Sequence, residues 1–258
     1  MPELRKDPIT GRWVIINNDK PKGPENYEIE VHQKKGGTCA FCPGNEKMTP
    51  PEITAYGNVK RDKNTPGWTL RVVPNKFPAL QIEGNIDKTG IGMFDMMNGI
   101  GAHEVIIETI HHDKEIADRD EQEVRDLMWM YRDRSLDLRK DKRFKYVLIF
   151  KNYGFSAGAS LEHPHSQLIA LPFTPKRVSG EIEGSETYFN YRERCVYCDM
   201  IRQEVYEKEL TVAENRSFLS FTPFASRFPY EIWVIPKEHA SDYAQIQISD
   251  VNDLAAIL

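Results

Sequence analysis

The sequence predicts an α+β fold in which one pattern of strands followed by a helix occurs twice. Three observations lead to this prediction. Short runs rich in β-branched and aromatic residues are bounded by proline and glycine, which is typical of strands. An apolar stripe with helical spacing follows the first set of runs. A Cys-x-x-Cys pair opens each copy, at Cys39/Cys42 and at Cys195/Cys198.

The repeat is clearest where two segments of the chain can be aligned without gaps. His103 to His112 and Tyr230 to His239 each place glutamate second, then an apolar run, and then a final histidine. The two segments lie 127 positions apart. Repeats of this kind indicate duplicated structural units. The alignment singles out His112, because its counterpart at position 239 is also histidine.

The elements of the first copy follow in order. Residues 81–102 are rich in Gly, Asp and Asn and have no partner in the second copy, so we expect a loop insertion. A helix is predicted from about Asp120 to Lys140, because its apolar residues recur every three or four positions. The segment from Arg143 to Phe150 is predicted to be a strand.

The second copy is expected to be incomplete. In the first copy, a further strand and a histidine cluster follow the helix, whereas the chain ends at Leu258 inside the second helix. We therefore expect a truncated chain, with a last helix from about Asp250 that lacks the packing of its counterpart. The predicted domains are residues 1–175, the first repeat with the histidine cluster, and residues 190–258, the partial second repeat.

Composition excludes several classes of protein. The 258 residues include 40% hydrophobic and 28% charged residues, with a formal net charge of −5. These values fit a soluble globular protein and argue against broad binding to nucleic acid or to anionic membranes. No apolar run approaches the roughly 18 residues that span a bilayer. The start of the chain has no apolar core of a secretory signal, so a cytoplasmic location is expected.

The four cysteines form two Cys-x-x-Cys pairs, which could be metal knuckles, redox dithiols or inert thiols. Glycines precede Cys39, and Pro43 and Gly44 follow Cys42, so this pair lies in a turn-rich knuckle of the kind that zinc prefers. Two imidazole nitrogens would complete a tetrahedron. His112 is one candidate, and either His163 or His165 is the other.

The most informative segment is an apolar strand that leads into a small-residue loop and then into His163-Pro164-His165-Ser166-Gln167. On an extended segment, residues i and i+2 point the same way. Such a loop could hold phosphate oxygens, one imidazole could attack phosphorus, and the amide could stabilise the developing charge. The alternative is a hydrogen-bonded histidine pair buried in a strand. His32 and His103 are expected to be ordinary surface or loop histidines.

These motifs resemble those of the galactose-1-phosphate uridylyltransferase family, the transferase branch of the histidine triad superfamily. The resemblance rests on Asn152 to Gln167, Cys39 to Glu46 and Val73 to Pro78. It implies tandem histidine-triad-like repeats, each an antiparallel sheet with packed helices, with the second repeat incomplete here. It also implies bound zinc and a homodimer.

The resemblance further implies roles for individual residues. His165 would be the nucleophile, and Gln167 and Ser160 would hold phosphate oxygens. The zinc ligands would be Cys39, Cys42, His112 and His163, and the nucleotide pocket would be lined by Asn75, Phe77, Asn152 and Gly158. A second candidate metal site would comprise Cys195, Cys198 and His239, with one ligand missing.

The activity implied by the resemblance is nucleotidyl transfer between a nucleotide sugar and a sugar 1-phosphate. The favoured reaction is that of a UDP-glucose:hexose-1-phosphate uridylyltransferase of galactose metabolism. Lys20 and Lys22 stand where the family often has an arginine-rich stretch, which leaves the sugar and the acceptor open. Alternatives are a phosphorylase or hydrolase of ADP-glucose or dinucleotides, and a catalytically inactive zinc-binding fragment. A zinc-ribbon nucleic-acid binder is disfavoured, because its knuckles would lie closer together.

Overall fold

The computed structural model describes residues 1–17, 23, 26–27, 37–58, 60–154, 156–159 and 161–258. The chain divides into two compact units. The first unit comprises Met1–Ile29 together with Pro175–Leu258, and the second comprises Glu30–Thr174. The expected repeat boundaries, residues 1–175 and 190–258, stay a prediction.

The secondary structure mixes strands and helices throughout the described residues. The strands are β1 (Glu3–Lys6), β2 (Trp13–Ile16), β3 (Thr54–Gly57), β4 (Trp68–Pro74), β5 (Thr89–Ile91), β6 (Phe94–Met96), β7 (Ala102–Ile107), β8 (Tyr146–Phe150), β9 (His165–Leu171), β10 (Thr211–Glu214), β11 (Phe218–Phe221) and β12 (Trp233–Pro236). The helices are α1 (Glu121–Leu138), α2 (Lys176–Arg192), α3 (Val196–Glu207) and α4 (Ile248–Ile257). The predicted α+β class is confirmed.

The second unit is built on an antiparallel sheet with the strand order β3-β4-β7-β9-β8 in the described part of the chain. Along β9, fully buried side chains alternate with half-buried ones, as expected for a strand with one covered face. Ser166, Leu168 and Ala170 are buried, whereas His165 and Gln167 are only partly covered. The sheet therefore presents these two residues on its less covered face.

Helix α1 packs on this sheet and agrees with the helix predicted from 120 to 140. Asp120 caps its first turn by accepting a hydrogen bond from the backbone N–H of Glu123. The Glu123 carboxylate in turn accepts a hydrogen bond from the backbone N–H of Asp120, which completes a capping box. A buried ion pair ties the helix to β7, because Arg134 donates to both carboxylate oxygens of Glu104 at 2.7 and 2.8 Å. Leu127 is completely buried on the same side of the helix.

The predicted loop insertion at residues 81–102 was partly wrong. The structure forms a β-hairpin there, because β5 pairs antiparallel with β6, and β7 already begins at Ala102. The hairpin carries exposed apolar side chains, including Ile91 and Phe94. Its strands are only three residues long and have no buried face. The sequence therefore lacks the alternation of apolar and polar residues that would have predicted them.

The first unit has a smaller antiparallel sheet in the order β10-β11-β12. Its core contains Ile201 of α3 with Leu219 and Phe221 of β11. The expectation of a poorly packed last helix was wrong. Val251 and Leu254 of α4 are buried, and the helix contacts β11.

Helices α1 and α4 begin at Glu121 and Ile248, which preserves the 127-residue spacing found in the sequence. Beyond this spacing, the tandem repeat stays a prediction. Among the described residues, no helix combines the length and the apolar character needed to cross a membrane.

Candidate active site and metal centre

The Cys39/Cys42 knuckle is a tight turn held by the backbone and by its own side chains. The backbone N–H of Cys42 donates to the carbonyl of Cys39, and Asn45 Nδ2 donates to the same carbonyl at 2.7 Å. Gly44 adopts a φ of 93°, a backbone conformation that residues other than glycine rarely adopt. Between the cysteines, Phe41 is buried in an apolar cluster that includes Trp68. The turn is therefore fixed to the core of the second unit.

Two histidines complete a cluster with these cysteines. One ligand atom from each of Cys39, Cys42, His112 and His163 lies within 4.8 Å of all the others. His163 Nδ1 is 3.8 and 3.6 Å from the sulfurs of Cys39 and Cys42, and His112 Nδ1 is 3.5 Å from the Cys42 sulfur. The second unit thus brings together all four residues that the resemblance implied as ligands.

This donor set fits zinc in chemistry and in spacing. Zinc bond lengths of about 2.3 Å to sulfur and 2.0–2.1 Å to nitrogen, at tetrahedral angles, place a sulfur and a nitrogen about 3.6 Å apart. The three observed sulfur–nitrogen distances of 3.5 to 3.8 Å agree with that value. Burial and the neighbouring Cys39 raise the pKa of the Cys42 thiol to about 11. A bound divalent cation would counteract this rise in pKa, because its positive charge favours the thiolate.

His163 is the buried anchor of the cluster. Its side chain is completely buried, and its Nε2–H donates to the carbonyl of Thr109 at 2.8 Å. That bond fixes the tautomer in which Nδ1 keeps a lone pair toward the two sulfurs. Burial also lowers the pKa of His163 to about 4, which favours the neutral imidazole that a metal requires.

His165 faces a different environment two residues further along. Its Nδ1 lies 2.8 Å from the backbone carbonyl of His163, so Nδ1 carries the hydrogen and donates it. In the neutral imidazole, the lone pair is therefore on the remaining nitrogen, Nε2. The ring of Phe41 packs edge-on against the His165 imidazole, with centroids 5.3 Å apart. This contact and the hydrogen bond together orient the imidazole.

Gln167 belongs to a polar group that the sequence did not fully predict. Its Oε1 lies 2.8 Å from His103 Nε2 and 3.4 Å from Asn75 Nδ2. Asn75 and Gln167 were both expected in the pocket, and the structure brings them together. His103 was expected to be an ordinary surface or loop histidine. It lies instead on β7, half-buried, in contact with both residues.

The other predicted pocket residues that the structure describes are exposed or half-buried. Phe77 is exposed, and its backbone N–H donates to Asn75 Oδ1 at 2.9 Å. Asn152 is half-buried just after β8, and Gly158 is exposed in the following turn. Ser160 lies outside the described residues, so its predicted catalytic and binding roles stay predictions.

The second cysteine pair lies in the first unit at the start of α3. Cys195 precedes the helix and Cys198 lies in its first turn, so this pair opens a helix rather than a turn-rich knuckle. The ligand atoms of Cys195, Cys198 and His239 all lie within 4.8 Å of one another. The Cys198 sulfur is 3.2 Å from His239 Nδ1. The three residues thus converge, as the repeat predicted.

A charged network next to β9 was not predicted from the sequence. The Glu108 carboxylate accepts a hydrogen bond from Ser166 Oγ and from Arg119 Nη2 at 2.8 Å, and Lys151 Nζ lies 2.9 Å away. The Tyr131 hydroxyl donates to Ser166 Oγ. Ser166 lies between His165 and Gln167, so this network fixes the strand that carries both. The signal for it in the sequence was a glutamate directly after the apolar run of β7.

Comparison with known proteins agrees with this fold and site. Models of galactose-1-phosphate uridyl transferase match the chain in both parts, the N-terminal domain over residues 1–175 and the C-terminal domain over residues 181–258. The chain therefore belongs to the galactose-1-phosphate uridyl transferase family, and its class is that of the nucleotidyltransferases.

Two relatives and one solved structure resemble this chain over its whole length. ADP-glucose phosphorylase of Arabidopsis thaliana is 35% identical over 262 residues, which cover 100% of this chain and 72% of that protein. Galactose-1-phosphate uridylyltransferase of Thermotoga maritima is 29% identical over 259 residues, covering 100% of this chain and 74% of that protein. The crystal structure of an ADP-glucose phosphorylase from Arabidopsis thaliana with bound ADP-glucose superposes with a TM-score of 0.80 at 33% identity, covering 100% of this chain and 75% of that one.

Proposed function

We propose that this chain transfers a nucleotidyl group from a nucleotide sugar through a covalent intermediate on His165. The observation that carries the proposal is the 2.8 Å hydrogen bond from His165 Nδ1 to the carbonyl of His163. It places a proton on Nδ1, so that in the neutral imidazole Nε2 carries the lone pair and is held in a fixed orientation for attack.

The reaction consists of two displacements at the same phosphorus. In the first, the Nε2 lone pair bonds to the α-phosphorus, and the bond to the bridging oxygen breaks with its electron pair leaving on the sugar 1-phosphate. The positive charge that develops on the imidazole is stabilised through the Nδ1–H bond to the His163 carbonyl. In the second, a phosphate oxygen of the acceptor attacks, the phosphorus–nitrogen bond breaks, and Nε2 regains its lone pair. Two half-reactions through one intermediate give ping-pong kinetics.

The ligands Cys39, Cys42, His112 and His163 would hold zinc in a structural role. A bound ion would immobilise His163, and with it the carbonyl that orients His165. The Gln167 amide would donate to the non-bridging phosphate oxygens, where charge develops in the transition state. Asn75 and Phe77 would contribute to the nucleotide pocket, together with Asn152, Gly158 and Ser160.

For the substrates, we propose ADP-glucose as the donor and inorganic phosphate as the acceptor. The products would be glucose 1-phosphate and ADP. Support comes from the 35% identity to an ADP-glucose phosphorylase and from the superposition on its ADP-glucose-bound structure over the whole chain. The lysines at positions 20 and 22 agree with a departure from the uridylyltransferase pattern.

The second candidate is uridylyl transfer from UDP-glucose to a hexose 1-phosphate. It is favoured by the match of both family models and by the Thermotoga maritima relative. The first half-reaction separates the two candidates, because an adenylyl and a uridylyl group differ in mass.

The test is intact-protein mass spectrometry after incubation with ADP-glucose, UDP-glucose or a diadenosine polyphosphate in separate reactions. We expect one adenylyl adduct from ADP-glucose, no adduct in the His165→Ala variant, and discharge of the adduct by inorganic phosphate. A uridylyl adduct discharged by galactose 1-phosphate would favour the second candidate. Absence of any adduct from a folded, zinc-loaded protein would contradict catalysis and favour a zinc-binding module.

A further inference from the structure

His103 and Gln167 lie on neighbouring strands and on the same face of the sheet. In the register of β7 and β9, Val105 is opposite Gln167, and His103 is two residues from Val105 on the same strand. Diagonal neighbours of this kind are within reach of long side chains. The 2.8 Å contact between His103 Nε2 and Gln167 Oε1 is such a diagonal pair.

The tautomer of His103 follows from its other nitrogen. The backbone N–H of Ala79 donates to His103 Nδ1 at 3.1 Å, so Nδ1 is an acceptor and carries no hydrogen. A neutral imidazole has one N–H, which must then be at Nε2. His103 therefore donates to whichever Gln167 atom lies opposite Nε2.

Asn75 fixes the same choice independently. Its Oδ1 accepts the backbone N–H of Phe77 at 2.9 Å, so its other amide atom is the donor Nδ2. Nδ2 lies 3.4 Å from Gln167 Oε1 and 3.1 Å from His103 Nε2. Two N–H donors therefore converge on one position of the Gln167 amide. Only oxygen satisfies both, because the reverse orientation would place an NH₂ group against two donors.

We propose that His103 is a positioning residue that holds the Gln167 amide in one orientation, with Oε1 anchored and the NH₂ group presented to the phosphate oxygens. The proposal rests on the proposed function for its catalytic consequence, but the orientation itself does not. An amide free to rotate would also populate the orientation that turns its oxygen toward the phosphate, where it repels the anion instead of donating to it. His103 removes that alternative by occupying the oxygen.

Loss of one neutral hydrogen bond predicts a moderate effect. His103→Leu fills a similar volume but has no donor, so nucleotidyl transfer to His165 should slow about tenfold at saturating ADP-glucose, with KM little changed. His103→Gln keeps an amide N–H and an amide oxygen, so it should recover most of the rate. Zinc content and thermal stability should match those of the wild type in both variants.

A double-mutant cycle distinguishes positioning from a general structural role. If His103 acts through Gln167, adding His103→Leu to Gln167→Ala should leave the single-turnover rate unchanged within about twofold. An equal fractional loss in both backgrounds would overturn the proposal.

Imidazole ¹⁵N NMR of the ligand-free protein tests the orientation without any substrate. We expect hydrogen on Nε2 of His103, together with a Gln167 side-chain NH₂ signal that is assigned by its loss in Gln167→Ala. That signal should shift in His103→Leu but not in Lys88→Ala, a control at an exposed position just before β5. Hydrogen on Nδ1, or an unshifted Gln167 signal, would refute the proposal. A wild type with these NMR properties but no nucleotidyl adduct would contradict the proposed function alone.

Discussion

Replacement of Glu108 by glutamine tests how far the strand that carries His165 depends on a buried charge. The Glu108 side chain is 1% exposed and contacts Arg119, whose side chain is 0% exposed, and Lys151. Burial by itself raises the pKa of Glu108, but Lys151, Ser166 and Arg119 outweigh it and lower the pKa below the usual value. The carboxylate is therefore ionised in the folded protein at neutral pH.

The magnitude follows from what the substitution leaves behind. Glutamine has the same shape, so no cavity forms, but the guanidinium of Arg119 stays buried without its counter-charge. Removing one partner of a buried ion pair costs about 3–5 kcal/mol. Lys151 keeps Glu115 at 2.7 Å, and Arg119 keeps its bonds to backbone carbonyls, so we expect the lower end, about 3 kcal/mol. That is a large part of the roughly 5–15 kcal/mol that stabilises a typical domain.

The assay is urea unfolding at pH 7 with zinc present, followed by tryptophan fluorescence. Glu115→Gln is the matched control, because it removes a carboxylate from the same lysine at a partly exposed position, 27% exposed. We expect the control to lose less than about 1 kcal/mol. If Glu108→Gln lowered the free energy of unfolding no more than the control did, at an unchanged m-value, the assignment of a structural charge to Glu108 would be wrong.

Further predictions concern the metal, the nucleophile, the amide and acid stability. His163→Ala should lower zinc content and the free energy of unfolding together, whereas His165→Ala should leave both near wild type while preventing any nucleotidyl adduct. Metal analysis with intact-protein mass measures both, and a zinc-depleted His165→Ala protein would contradict the separation of roles. Gln167→Ala should slow single-turnover transfer roughly 10²–10³-fold, as for one lost oxyanion donor, and a loss below about tenfold would contradict its role. Burial raises the pKa of Glu231, but its hydrogen bonds, chiefly from Arg227, lower it from 4.5 to about 2. Because the pKa is lowered in the folded state, the stability difference between wild type and Glu231→Gln should be present above pH 4.5 and vanish as the pH falls toward 2. Urea unfolding across that range measures it, and a difference that grew on acidification would show the sign to be wrong.

Two elements of the second unit were predictable from the sequence, α1 from apolar residues at helical spacing and β8 from its run of β-branched and aromatic residues. Helix α2 was not predicted, because among its described residues no side chain is buried and no apolar stripe marks it. It also contains Gly184, which in a sequence suggests a loop. In the structure, a Cβ at Gly184 would lie 1.9 Å from the carbonyl oxygen of Ile9. The glycine thus permits close packing of distant segments, which sequence periodicity cannot show.

The candidate site was predictable where its residues are close in sequence or related by the repeat. His163, His165 and Gln167 belong to one motif, and the counterpart at position 239 singled out His112. His103 was missed, because its contact with Gln167 depends on the register between β7 and β9. No local pattern in the sequence encodes that register, and a lone histidine in an apolar strand carries no signal of its own.

The alternation of buried and half-buried residues along β9 also determines which mutations this segment can tolerate during evolution. Because successive side chains point to opposite faces, one inserted or deleted residue would exchange the two faces of everything after it. A deletion just before His165 would turn its imidazole toward the packed side that Ser166 and Leu168 now occupy, and would expose those residues instead. A conservative substitution changes one position of β9 and leaves the others in place, whereas an insertion or deletion changes the face of every later residue. The exposed hairpin at Thr89–Met96 faces no such constraint, so relatives should differ in length there while keeping the spacing of β9.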